Sequence, residues 1–161
     1  MTIEEYNSSV DDFSDGLYRF ILKNIKDKDK AKDIVQDSYE KLWLKVESVS
    51  YAKVKSYLFS SAYHTMIDVI RKEKKQADFS AVNQEKYSHE EQYTDLNEIL
   101  NNALEKLPEI QRSVILLRDY EGYSYNEIAE ITDLNESQVK VYIYRGRLFL
   151  KNYIGSLETV L

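Results

Sequence analysis

Gly122-Tyr-Ser-Tyr-Asn-Glu-Ile-Ala-Glu-Ile-Thr-Asp-Leu-Asn-Glu-Ser-Gln-Val-Lys-Val-Tyr-Ile-Tyr-Arg-Gly-Arg147 reads as two helices around a tight turn. Ser124 with Glu127 three residues later forms a capping box, so a helix is expected from Tyr125. Ile128, Ala129 and Ile131 are its apolar positions, and Ala129 is small where two helices cross closely. A break falls at Thr132-Asp133, Leu134 plugs inward, and Asn135 with Gln138 repeats the cap signal. The turn needs a left-handed residue, which here falls to Asp133; Asp tolerates that conformation better than most. Val139, Ile143 and Leu150 mark the buried stripe of the second helix. Ser137, Gln138, Lys140, Val141, Tyr144, Arg145 and Arg147 are left for solvent or a partner. A recognition helix presents its N-terminal residues to base edges and flanking cations to phosphates. An ordinary helical hairpin with a solvated face is the competing reading, and the cationic face favours DNA.

The 161-residue chain has a formal net charge of −6, which fits a DNA binder only when split by segment. Residues 1–15 carry acids alone, whereas residues 16–76 hold 14 Lys/Arg against 8 Asp/Glu. Residues 77–98 set Lys86 against six acids, residues 99–133 are again acidic, and residues 134–155 hold four cations and one acid. Two basic blocks separated by acidic ones matter because local charge, not net charge, meets phosphate.

The chain contains no Cys, which excludes disulfides, thiolate metal sites and cysteine nucleophiles. No apolar run approaches the roughly 18 residues of a membrane span and no signal peptide opens the chain, so a cytoplasmic protein without membrane insertion is expected. One Pro and four Gly favour an all-α fold of two small helical domains joined by a flexible acidic linker. The expected domains are residues 1–76, a linker over 77–95, and residues 96–161, the second ending in the helix-turn-helix. Helix one spans about Ile3 to Ile25, broken or loosened near Ser14-Asp15-Gly16. Helix two, about Lys30 to Val46, is expected to bury Ile34, Tyr39, Leu42, Trp43 and Val46 and to expose Asp33, Gln36, Asp37 and Glu40. Helix three, about Ala52 to Lys75, has Leu58, Ala62, Met66, Ile67 and Ile70 as core candidates and ends in Arg71-Lys-Glu-Lys-Lys75. Leu96 to Leu107 is a helix stopped before Pro108, which opens the next helix, Glu109 to Tyr120.

Two further windows carry a resemblance. Asp33-Ile-Val-Gln-Asp-Ser-Tyr-Glu-Lys-Leu-Trp43 resembles the helix by which sigma factors dock on the polymerase clamp. Tyr57-Leu-Phe-Ser-Ser-Ala-Tyr-His-Thr-Met-Ile-Asp68, followed by Arg71, resembles the helix that opens the minus-ten element. Leu107-Pro-Glu-Ile-Gln-Arg112 through Arg147 is similar to the domain that reads the minus-thirty-five element. In this order and spacing, over about residues 10 to 155, the chain resembles an extracytoplasmic-function (ECF) sigma factor.

That resemblance implies roles at matching positions. Asp33, Gln36, Asp37 and Glu40 would meet the clamp coiled coil of core RNA polymerase, with the flap as a second contact. Tyr57, Phe59, Tyr63 and His64 would stack on or touch the unpaired strand; the blander reading makes Tyr57, Phe59 and Tyr63 core. Lys53, Lys55, Arg71, Lys72, Lys74 and Lys75 would supply backbone charge. Ser137, Gln138, Val141 and Tyr144 would face the groove, with Lys140, Arg145 and Arg147 as phosphate clamps. Arg112 and Arg118 fit either a DNA contact or a structural ion pair. His64 stands where the family usually has Asn, and Tyr142 where it often has Arg. The implied partners are core polymerase, promoter DNA and an anti-sigma factor, with a monomer when free. No cofactor or metal is called for, and no residues converge on a catalytic site. The chain stops soon after the recognition helix, so regulation is expected from outside it. The alternative from another class is a stand-alone helix-turn-helix regulator.

Overall fold

A computed structural model describes residues 1–79 and 96–158. Among these, every regular element is a helix. α1 (Ile3–Ile25), α2 (Lys28–Leu44) and α3 (Tyr51–Phe79) form an N-terminal block in which each helix packs on the other two. α4 (Leu96–Lys106), α5 (Glu109–Ile115, widening into a π segment at Leu116–Tyr120), α6 (Tyr125–Thr132) and α7 (Glu136–Glu158) form the C-terminal block. The expected linker lies outside the described residues, except that α3 continues through positions 77–79.

α1 starts at a capping box, Thr2 with Glu5, and ends at Lys26 in the left-handed conformation. It runs unbroken through Ser14-Asp15-Gly16, where a break was expected. A helical Gly costs about 1 kcal/mol, and burial of Leu17, Phe20 and Ile21 on the next turn outweighs it. α2 begins at the Asp27 cap and buries Ala31, Ile34, Ser38, Tyr39 and Leu42. Two expected core residues differ. Trp43 is 47% exposed and lies edge-on to Tyr6 at 5.1 Å, and Val46 falls beyond the end of the helix, only partly covered. The physical cause is phase: the stripe Ile34, Ser38, Leu42 leaves Trp43 about 100° round from the core.

The buried run Val114, Ile115, Leu116, Leu117 passes from α5 into the π segment. Pro108 caps α5 instead of opening it, a shift of one residue. Gly146, on α7, is buried against Ile115: a Cβ there would meet Ile115 Cδ1 at 2.2 Å.

Both blocks contribute to one hydrophobic core. The aromatic run Phe20, Phe59, Tyr123 passes from α1 through α3 to the turn before α6, with ring centroids 5.8 and 5.0 Å apart. Polar contacts flank it. Arg19 donates to both carboxylate oxygens of Glu121 at 3.0 and 2.9 Å. The buried Asn24 side chain accepts from Arg112 Nε at 2.8 Å and donates to the Phe20 carbonyl.

Candidate nucleic-acid and polymerase interfaces

The helix-turn-helix is built as its caps require. Ser124 accepts from the Glu127 amide while Glu127 accepts from the Ser124 amide, and Asn135 and Gln138 repeat the exchange at α7. Asp133 adopts φ 58°, ψ 33°, the left-handed geometry the turn demands. With Ile128, Ile131, Val139 and Ile143 buried, the two helices hold one relative orientation. Leu150, expected in that stripe, is only partly covered.

Ser137, Gln138, Lys140, Val141, Tyr144, Arg145 and Arg147 are all exposed, on the outer face of α7. Asn135, Ser137, Gln138, Val141, Tyr142 and Arg145 line a shallow hollow of about 240 Å³. Lys140 Nζ sits 5.5 Å from the Tyr125 ring. Arg147 is held by Asp119 on the π segment, an acceptor that sequence spacing did not pick out. Arg118 donates to the Tyr123 carbonyl at 2.8 Å and stacks on Tyr125, and Arg112 is bound by Asn24. In this arrangement both arginines serve structural bonds. Burial lowers the Arg112 pKa from its usual value.

On α2, Asp33, Gln36 and Glu40 are exposed and Asp37, half-buried, pairs with Lys41 at 3.0 Å. Gln36 donates to Glu40 at 3.4 Å. The stripe continues at the next turn through Trp43 and Leu44, the latter 83% exposed. Sequence reading missed these two as surface residues, although Asp33, Gln36/Asp37, Glu40, Trp43/Leu44 keeps one helical period.

α3 divides its expected strand-facing residues. Arg71, Lys72, Lys74 and Lys75 are exposed cations on its C-terminal turns. Phe59 and Tyr63 are 2% and 6% exposed, so neither ring is open to a base in this arrangement. Burial pushes the Tyr63 hydroxyl up to about 12, with the nearby Glu109 carboxylate adding to the rise. Glu109 itself is raised, chiefly by burial. His64 is half-exposed, its Nε2 3.4 Å from Asp133. Beside the α2–α3 turn lies a cleft of about 550 Å³ bordered by Ser48, Ser56, Tyr57, Ser60, Lys53 and Glu130.

No group of three or more His, Asp or Glu side chains with metal-binding geometry occurs among the described residues, and no described helix is long and apolar enough to cross a membrane.

Comparison with known proteins covers both blocks. Residues 10–76 match the family described as Sigma-70 region 2, and residues 97–150 match Sigma-70, region 4. The ECF RNA polymerase sigma factor SigM of Bacillus subtilis (strain 168) is 29% identical over 157 residues, 94% of each chain. RNA polymerase sigma factor SigV of the same organism is 34% identical over 140 residues, covering 85% of this chain and 83% of its own. Among solved structures, the sigma factor RpoE of Bartonella quintana, in complex with the anti-sigma factor NepR, matches with a TM-score of 0.79. It is 26% identical, over 95% of this chain and 98% of that one. CnrH, in complex with the cytosolic domain of CnrY, shares the fold with a TM-score of 0.68 at 19% identity.

Proposed function

The chain belongs to the extracytoplasmic-function sigma factors, and we propose how its surfaces divide the work of directing core RNA polymerase to promoters. The carrying observation is that one chain holds two exposed faces of different chemistry. One is the polar and cationic outer side of α7; the other is the acidic-to-apolar stripe of α2.

The α7 face reads the minus-thirty-five element. Ser137, Gln138, Val141 and Tyr144 meet base edges, while Lys140, Arg145 and Arg147 meet phosphates. The α2 stripe docks on the clamp coiled coil, with Asp33, Gln36, Asp37 and Glu40 supplying charge and Trp43 and Leu44 the desolvated anchor. α3 holds the unpaired minus-ten strand: Arg71, Lys72, Lys74 and Lys75 follow its backbone and His64 is its open base-facing group, whereas Phe59 and Tyr63 meet a base only once they are uncovered. The hydroxyl-lined cleft beside Lys53 fits an unstacked base, whose extrusion costs a few kcal/mol that contacts there must offset. Binding energy alone drives melting in this scheme. The domain division is residues 1–76 and 96–161, joined by 77–95, and an anti-sigma factor is the expected regulatory partner.

The test is gel filtration of the purified chain with bacterial core polymerase, followed by genome-wide run-off transcription. Co-elution with new discrete start sites is the expected result and yields both promoter elements. DNA binding by the chain alone, without polymerase association, would instead make it a stand-alone regulator.

A further inference from the structure

The hollow on α7 has a chemistry that only one base edge matches. Gln138 stands at one end, Val141 and Tyr142 in the middle and Arg145 at the other, at a spacing of three and four residues that keeps them on one side of the helix. Its walls are mostly apolar. Val141 is 44% exposed, whereas Tyr142 is partly buried and packs against the core that holds Val139 and Ile143. The Tyr142 ring is therefore in place before DNA arrives, which keeps the ordering cost of binding low. It stands where the family often has Arg, so an aromatic wall replaces a long cation. In the major groove a base pair offers one apolar group, the C5-methyl of thymine.

The cap of α7 sets the polarity of Gln138. The Asn135 backbone N–H donates to Gln138 Oε1 at 3.0 Å, while the Gln138 N–H donates to Asn135 Oδ1 at 2.8 Å. A backbone donor needs an acceptor, so the cap fixes which end of the side-chain amide is oxygen. Nε2 is the end left to DNA, and it only donates. It therefore calls for an acceptor on the base beside the apolar walls. Thymine has one, O4, next to its methyl; cytosine has the N4 amino donor at that place. Guanine offers acceptors but no methyl. Adenine, the usual partner of Gln, is disfavoured twice: Oε1 is already taken by the cap, and adenine gives the hollow no apolar group.

Resting on the function proposed above, we infer that α7 carries a thymine-reading subsite: the C5-methyl enters the hollow between Val141 and Tyr142, and Gln138 Nε2, oriented by its cap to Asn135, donates to O4 of the same base. Tyr142 is then a specificity-determining residue rather than a lost phosphate contact. Lys140, Arg145 and Arg147, exposed around the hollow, hold the duplex by its phosphates and leave the choice of base to the hollow.

The test uses the full chain bound to core polymerase and the minus-thirty-five element that run-off transcription defines. Each thymine of that element, on either strand, is replaced singly by uracil, which removes one methyl and keeps O4 and the pairing. Competition binding is expected to show one position where uracil weakens the complex about fourfold, the worth of one buried methyl. At that position 5-methylcytosine paired with guanine keeps the methyl but presents a donor to Nε2, and should bind about tenfold more weakly than thymine. Tyr142→Arg, checked for helix content by circular dichroism, should bind the thymine and uracil duplexes alike, whereas Tyr142→Phe keeps the preference. Should Tyr142→Arg lose helix content, Val141→Ser, at an exposed position, replaces it with the same reading. Gln138→Glu keeps an oxygen for the cap but turns the donor into an acceptor, so the ratio of thymine to 5-methylcytosine binding should fall. Equal binding of thymine and uracil at every position, or an element without an A·T pair, overturns the inference alone. A uracil effect that survives in Tyr142→Arg takes the methyl out of this hollow and overturns it too. Absence of discrete start sites overturns the function proposed above, and the subsite with it.

Discussion

Asp119 accepts hydrogen bonds from both Nε and Nη2 of Arg147, the first at 3.1 Å, tying the outer face of α7 to the π segment that follows α5. The bond raises the Arg147 pKa, so its charge is constant. The side chains stay 49% and 36% exposed, and pairs of that kind contribute about 1 kcal/mol or less.

A phosphate can therefore compete for Arg147. Arg147→Ala is expected to lower the slope of log affinity against log salt by about one, with little change in thermal midpoint. Asp119→Asn should raise affinity for duplex DNA by removing an anion beside the same phosphate. Titration of both variants over a salt series checks this. A large fall in melting temperature with no change of slope would make Arg147 a structural residue only.

The steric fit at Gly146 yields a second expectation. Gly146→Ala gains helix propensity worth about 1 kcal/mol, yet its new methyl would meet Ile115 Cδ1 at 2.2 Å. Overpacking of this kind costs about 1–3 kcal/mol, so net destabilisation is expected in urea denaturation. Ile115→Val deletes the offending atom. The double variant should be more stable than the sum of the single changes allows.

Capping chemistry made the helix-turn-helix legible: Ser124/Glu127, Asn135/Gln138 and the left-handed Asp133 are all local signals, and the structure has each of them. Helical phase likewise placed Ile128, Val139 and Ile143 inside and the α7 cations outside. What could not be read depends on neighbours distant in sequence. Trp43 looked like core because it is large and apolar, but it stands outside the buried stripe of α2, edge-on to Tyr6 and 47% exposed. Gly16 looked like a break, but its missing side chain serves Glu121, 105 positions along the chain. Phe59 and Tyr63 had two readings in the sequence, and their burial is completed by groups near Glu109, Tyr123 and Asp133 that no local pattern could associate with them.

The α2 stripe predicts a separable defect. Reversing charge at Asp37 and Glu40 should weaken binding to core polymerase about tenfold or more, with the loss mainly in association rate and strongly salt-dependent. Binding of duplex minus-thirty-five DNA should be unchanged. Trp43→Ala should weaken the same association chiefly through faster dissociation. Equal loss of both activities would report misfolding and count against a docking face.

Alkaline pH gives the last expectation. Tyr39, Tyr63 and Tyr123 are buried and their pKa values are raised by burial, Tyr63 to about 12. A tyrosine whose folded pKa exceeds its unfolded value of about 10 contributes stability that is complete below pH 10. Above pH 10 the unfolded chain releases that proton while the folded chain keeps it, so stability falls by about 1.4 kcal/mol per pH unit for each such group until the folded pKa is reached. Lysines titrate in the same range, and comparison with Tyr63→Phe cancels them. Denaturant unfolding of the parent between pH 10 and pH 11 should lose stability more steeply than the variant, by about one proton equivalent. Equal slopes would mean that the Tyr63 hydroxyl already meets solvent, and that the C-terminal block does not cover α3.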